Sequence, residues 1–230
     1  MPRIGLGTWQ ITDRVQMAEI VESAYQSGYR LIDTAAAYSN EIALAKALAA
    51  AEIKRTKMFL SDKVWNTSRG AAAVQEACRK SLKKLKTEYL DLYLIHWPAS
   101  MKLYPDWAEV NADTWRGMEQ LYKDGLVRAI GVCNFKEHHL TALEKTAAGK
   151  LKQRHGRPVS LCAKTERRPF SRPRSQVRRI QRIHALYKLP IYESECGRYN
   201  MYRYEFPPDG TQNDNGGTEH GRKRTRTRGT

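Results

Sequence analysis

Residues 31–41 read LIDTAAAYSNE: a short apolar run that ends on an acid, Asp33, with a tyrosine, Tyr38, five positions later. An Ala-rich helical segment, NEIALAKALAAAEI (40–53), follows, with Asn40 placed to cap its first free amides. A continuous apolar run feeding a helix is one β/α step. The same step recurs on both sides. Upstream, IGLGTW (4–9) reads as a strand and VQMAEIVESAYQSG (15–28) as a helix closed by Gly28. Downstream, KMFLSDKVW (57–65) is a strand and RGAAAVQEACRKSLKKLKTEY (69–89) a long amphipathic helix. LDLYLIHW (90–97) is a fourth such strand; after a loop with Pro98 and Pro105, a helix is expected around ADTWRGMEQLYKDG (112–125). VRAIGVCNF (127–135) and KEHHLTALEKTAAG (136–149) complete a fifth strand and helix.

Apolar strands separated by helices pair in parallel, with both faces of the sheet covered. Either an open doubly wound sheet or a (β/α)8 barrel meets that requirement. Asp33, Lys63, His96 and Asn134 fall near the C-terminal ends of four consecutive strands. A barrel gathers its chemistry from many strand ends over one mouth, whereas an open sheet concentrates it at a single switch point. The expected fold is therefore α/β of the (β/α)8 TIM-barrel type, incomplete, with about five β/α units in residues 1–150, followed by a basic and largely irregular tail in 151–230.

Around one mouth, Asp33, Tyr38, Lys63 and His96 converge as a proton donor and its supports. A free tyrosine is a poor acid at neutral pH, and a neighbouring ammonium favours the phenolate, so Lys63 is expected to lower the pKa of Tyr38. Asp33 would hold Lys63 and limit the cost of burying a lone cation. His96 would orient a substrate oxygen or share the proton transfer. Taken singly, each residue has a plainer reading: a helix-capping acid, a packing tyrosine, a solvated strand lysine, a core histidine. The GLGT turn is weaker still, lacking the third glycine of a dinucleotide loop. What favours a site is that the polar residues occur at successive strand ends.

IGLGTWQ (4–10), LIDTAAAYSNE (31–41), SDKVW (61–65), LDLYLIHWP (90–98) and IGVCNF (130–135) together resemble the aldo-keto reductases, in order and spacing. The resemblance covers roughly residues 2–149. It implies a barrel that reduces aldehydes and ketones to alcohols with NADPH, NADH being left open, and a small-molecule carbonyl as partner. Carried over by position, it makes Tyr38 the general acid and Asp33, Lys63 and His96 the rest of a catalytic tetrad. It makes Gly7, Thr8, Asp33, Cys133 and Asn134 cofactor-binding, and Trp9, Trp65 and Trp97 substrate-binding, although those tryptophans also read as core anchors. Two positions depart from the family pattern. Cys133 stands where Ser is usual, and a thiol is the weaker donor to a nicotinamide carboxamide. Asp62 stands where Ser or Thr is common, a second carboxylate beside Lys63.

The chain is 230 residues, 41% hydrophobic, with a formal net charge of +16. That charge is uneven: residues 1–150 carry 21 Lys and Arg against 17 Asp and Glu, residues 151–230 carry 19 against 7. Beyond Lys150 the β/α alternation stops, although VRRIQRIHALYKL could form a helix, and PPDGTQNDNGGTEHGRKRTRTRGT has the composition of a disordered segment. Three readings of this tail stand open: an arm binding nucleic acid through Arg, Lys and the interleaved Tyr192, Tyr199, Tyr202 and Tyr204; an address signal in GRKRTRTR; or an out-of-frame translation. On the first, the chain is a non-catalytic remnant. A barrel stopping after five units is expected to leave strands 1 and 5 with open edges and to impair turnover. Cys78, Cys133, Cys162 and Cys196 show no metal spacing and read as reduced thiols. No metal, no membrane span and a cytoplasmic location are expected.

Overall fold

The computed structural model describes residues 1–2, 5–147, 151–153 and 201–204. Five strands, β1 (Leu6–Gly7), β2 (Leu31–Asp33), β3 (Phe59–Val64), β4 (Leu92–Ile95) and β5 (Ile130–Cys133), alternate with five helices. These are α1 (Arg14–Gln26), α2 (Glu41–Ala50), α3 (Ala71–Leu85), α4 (Trp107–Lys123) and α5 (Glu137–Glu144). Each strand lies parallel beside its predecessor, in the order β1-β2-β3-β4-β5. There is no switch point among them. That separates the barrel arrangement from a doubly wound sheet, in which the strand order reverses.

Alternation along the strands sorts residues onto two faces. Ile32, Leu60, Val64, Tyr93, Ile95, Ile130 and Val132 join the main core with Met17, Ile20, Leu44, Val74, Trp115 and Met118 from the helices. The opposite face carries a smaller apolar cluster, Leu92, Leu94, Ala129 and Cys133, with Phe59 packed on it. By the same alternation Asp33, Lys63 and His96 belong to this second face, the barrel interior.

Helices α3 and α4 approach closely at Gly117. A Cβ there would strike Val74 Cγ1 and stand 2.6 Å from the Ala71 carbonyl oxygen and 2.7 Å from Ala71 Cα. Because two of the three obstacles are backbone, the helices must part to admit a methyl. Gly117→Ala is expected to destabilise the chain by about 1–3 kcal/mol despite the better helix propensity of alanine, measurable as a shift in urea midpoint.

Three expectations are corrected. Asn40 occupies the N-cap position of α2, but its side chain makes no cap bond. Its amide instead donates to the Thr8 carbonyl (2.7 Å) and the Ile11 carbonyl (3.0 Å), so it ties the loop after β1 to the start of α2. Helix α4 begins at Trp107, five residues before the expected ADTWRG segment. The edge of β5 is paired: a strand β7 (Met201–Tyr204) runs antiparallel to it, and β6 (Leu151–Gln153) runs antiparallel to β7. An open edge offers a row of free N–H and C=O groups to any extended segment in reach. Among the described residues, 151–230 therefore contribute two strands, and Tyr202 and Tyr204 of the interleaved tyrosines fall in β7; the rest of the nucleic-acid arm, with Tyr192 and Tyr199, the GRKRTRTR address, the helix in VRRIQRIHALYKL, Cys162 and Cys196 lie outside the described residues. Cys78 and Cys133 are buried and form no disulfide among the described residues. Among the described residues no helix is long and apolar enough to cross a membrane, and no group of three or more His, Cys, Asp or Glu is arranged to hold a metal ion.

Candidate active site

The C-terminal ends of β2, β3 and β4 bring three polar side chains to the barrel mouth. Lys63 Nζ donates to Asp33 Oδ2 at 2.6 Å and to the Thr34 carbonyl at 2.9 Å, with Lys63 4% and Asp33 7% exposed. A charge pair this buried survives only because the two neutralise each other and the ammonium gains a further acceptor. Tyr38 reaches the same place from a short 3₁₀ turn, Ala36–Tyr38, that follows β2. Lys63 Nζ lies 5.4 Å from the centre of its ring. His96, at the end of β4, packs edge-on against Tyr38 (centroids 6.0 Å apart) and Trp65 (5.2 Å). Three residues read from strand ends, Asp33, Lys63 and His96, thus meet Tyr38 from the turn after β2.

Electrostatics assign their states. Lys63 is pushed down by burial, but Asp33 and Tyr38 outweigh that and hold its ammonium above its ordinary pKa. His96 is pushed to about 3, first by burial and then by the Lys63 charge, so its ring is neutral throughout the working range. It is consequently a hydrogen-bonding group and not an acid, and its buried Nδ1 has no hydrogen-bond partner among the described residues. Tyr38 corrects the expectation of a lowered pKa. Burial is the largest influence and raises it; Lys63 pulls it down through charge and hydrogen bond, while the charges of Asp33 and Cys133 push it up. The net direction is upward, which keeps the phenol protonated and able to donate.

The wall beside β1 is fixed by a buried polar knot. Thr8 is fully buried, its amide donates to the Asp33 carbonyl at 3.0 Å, and its hydroxyl donates to Thr34 Oγ1 at 2.9 Å. Thr8 therefore spends its hydroxyl inside the protein and offers the mouth only backbone, whereas Gly7, paired with Asp33, is exposed. On the far side Asn134 takes a left-handed conformation (φ 64°) and its amide nitrogen donates to the His96 carbonyl at 2.7 Å. Its oxygen is then the atom left to accept. The same nitrogen is 3.5 Å from Cys133 Sγ, which is buried in the interior face.

Trp9, Trp65 and Trp97 are 46%, 37% and 43% exposed, so they are not core anchors in this structure and stand at the ends of β1, β3 and β4. Sequence reasoning missed Arg69, which donates to the Trp97 carbonyl at 2.8 Å and to Asn66 Oδ1 at 3.1 Å, clamping the loop after β3 to the one after β4. It also missed the exposed Met101 and Leu103 in the loop after β4. Neither had a sequence signal: one Arg in a polar loop and two apolar residues between prolines have no period.

The model of the Aldo/keto reductase family matches residues 3–161, and the chain belongs to that family. The match runs some way past the point near residue 149 where the sequence resemblance ends. Glyoxal reductase of Bacillus subtilis (strain 168) is 44% identical over 147 residues, 64% of this chain and 50% of that protein. Methylglyoxal reductase DkgA of Escherichia coli (strain K12) is 43% identical over 143 residues, 62% of this chain and 49% of the relative. Among solved structures, MGS-M4, an aldo-keto reductase from a Medee basin deep-sea metagenome library, superposes with a TM-score of 0.58 at 41% identity, over 64% of this chain and 51% of the other. The Bombyx mori aldo-keto reductase AKR2E4, solved in complex with NADP, gives 0.56 at 34% identity, over 64% and 51%. The chain spans about half the length of the relatives it matches.

Proposed function

We propose that this chain carries the catalytic half of a reductase that converts small aldehydes and ketones to alcohols with NADPH. The carrying observation is the buried Lys63–Asp33 pair at 2.6 Å set under Tyr38, with neutral His96 alongside. Bound at this mouth, NADPH supplies a hydride to the carbonyl carbon. The chain's own groups handle the oxygen. Tyr38, kept protonated by burial, donates its phenolic proton as negative charge develops there; Lys63 steadies the resulting phenolate, and Asp33 holds Lys63. His96 orients the carbonyl through a neutral ring.

The donor set suits a nicotinamide: Asn134 offers an amide oxygen toward a carboxamide, and exposed Gly7 admits a ring close to backbone. Thr8 would line that wall through its main chain. NADH is not distinguished from NADPH by these residues. Trp9, Trp65 and Trp97 give the mouth three exposed aromatic surfaces for an organic carbonyl. The relatives named for glyoxal and methylglyoxal make short dicarbonyls the first substrates to try. Turnover is expected to be slow, because the described residues supply the tetrad and the carboxamide end of the cofactor site only.

The test is titration of the 230-residue chain with NADPH, followed by quenching of tryptophan fluorescence, and then NADPH consumption with methylglyoxal. Saturable quenching and aldehyde-dependent oxidation of NADPH are expected; their joint absence would overturn the reading. Within the same assay, Cys133→Ser is expected to tighten NADPH binding by about two- to tenfold, the worth of one better donor. An unchanged or weaker affinity would remove Cys133 from the carboxamide site.

A further inference from the structure

On the helix side of β3, directly behind Lys63, a second set of ionisable groups is buried with no catalytic use. Asp62 lies between Leu60 and Val64 on the strand, shares their face, and is 0% exposed. Tyr93 is its registered partner on β4 and is also 0% exposed. Glu41, the first residue of α2, is 1% exposed; Cys78 and Ser81 of α3 close the space. Glu41 Oε2 accepts from Lys84 Nζ at 2.8 Å, which neutralises that carboxylate. Among the described residues Asp62 has no such partner: Lys63 reaches through the opposite face to Asp33, and Arg79 of α3 is half-exposed and 3.8 Å from Asp124.

Four atoms here lack a well-formed hydrogen bond: both Asp62 oxygens, Glu41 Oε1 and the Tyr93 hydroxyl. Three of these are acceptors, and the donors beside them, the Tyr93 and Ser81 hydroxyls and the Lys63 amide, carry no positive charge. A single added proton supplies the missing donor. A proton on the pair lets one carboxyl donate where both now only accept, and it removes one of two buried negative charges that act on each other.

We propose that Asp62 and Glu41 hold one proton between them, and that its release is a switch that loosens the packing of α2 and α3 on the strand that carries Lys63. Burial first, and the Glu41 charge second, raise the Asp62 carboxyl to about 7, against the pull of the Lys63 amide, the Ser81 hydroxyl and the Lys63 ammonium. Burial first, and then the neighbouring negative charges led by Asp62, raise Tyr93, which stays a neutral donor, and Cys78, raised to about 12 mainly by burial, stays a thiol. When the proton leaves for solvent, two buried carboxylates repel each other, and Lys84 pairs with Glu41 alone.

The sign follows from linkage. The unfolded chain releases this proton in the ordinary carboxylate range, the folded chain only near neutrality. Stability is therefore lost as pH rises between those points and levels off above about 7. The experiment is thermal and urea unfolding of the full chain, of Asp62→Asn and of Glu41→Gln, from pH 5 to 9. In the parent chain the unfolding equilibrium constant is expected to rise by up to about tenfold per pH unit below neutrality, while Asp62→Asn stays flat and becomes the more stable protein at pH 8. Glu41→Gln loses the Lys84 pair at every pH, but its slope should be shallower and end at lower pH. Parallel curves for parent and Asp62→Asn would overturn the proposal. So would stability that follows added sodium or calcium chloride and ignores pH, since a cation would then neutralise the pair. As a check independent of variants that fold badly, the ¹³C resonance of the Asp62 carboxyl, assigned by its loss in Asp62→Asn, should titrate near neutrality; a midpoint in the ordinary carboxylate range would refute the shared proton.

Discussion

Replacing Tyr38 by Phe is expected to lower kcat for NADPH-dependent aldehyde reduction by about 10²- to 10⁴-fold, the usual worth of a positioned general acid. The ring that packs against His96 stays, so the change removes one proton and little else. Cofactor affinity by tryptophan quenching should stay within about twofold, because the loss lies in the transition state and not in ground-state binding. The folded state should scarcely notice, since Tyr38 sits on a partly exposed turn. The combination of collapsed kcat, preserved binding and preserved fold is what distinguishes a proton donor from a packing tyrosine. A variant that keeps more than about a tenth of the parent kcat would show that the proton comes from elsewhere. His96 is neutral down to about 3 and the Tyr38 phenol is held above its ordinary value. Neither should therefore introduce a rate change between about pH 5 and 9. A decline of activity across neutrality that disappears in Asp62→Asn would belong to the buried proton behind Lys63.

The residues that converge were legible in the sequence because strand periodicity does the placing. Asp33, Lys63 and His96 each end an apolar run, and alternation puts all three on the interior face once the strands lie in register. The direction of the Tyr38 shift was not legible. The sequence shows that a lysine can approach, but not that burial of the phenol outweighs it, and burial is a tertiary quantity. Asn40 misled for a related reason: local rules assign an Asn before a helix to its cap, whereas here acceptors some thirty positions earlier, the Thr8 and Ile11 carbonyls, take its amide. Asp62 is visible beside Lys63, but its partners Glu41 and Tyr93 come from other elements, and no spacing rule connects them. The strand at 201–204 has no period to announce it; what recruits it is the free edge of β5.

Lys63→Met is expected to be the most destabilising of these substitutions, at about 3–5 kcal/mol, because it leaves Asp33 as an uncompensated charge in a buried site. Lys63 is 4% and Asp33 7% exposed, so water cannot replace the lost ammonium without opening the mouth. Among the described residues Asp33 Oδ1 already has no hydrogen-bond partner, and the substitution takes away the partner of Oδ2 as well. The cost should therefore be largely a desolvation cost, and this can be tested by removing the charge. In Lys63→Met with Asp33→Asn, most of the stability should return, giving a coupling of about 2–3 kcal/mol in the double-mutant cycle by urea unfolding. Activity should not return with it, since the phenolate formed at Tyr38 would still lack its cation. Stability and catalysis then separate on one pair: the fold needs the charges to be balanced, and the chemistry needs one of them to be positive. If the two single changes instead proved additive, the 2.6 Å contact would carry no net stability, and the tetrad would be held in place by the Thr34 carbonyl and by packing around Lys63.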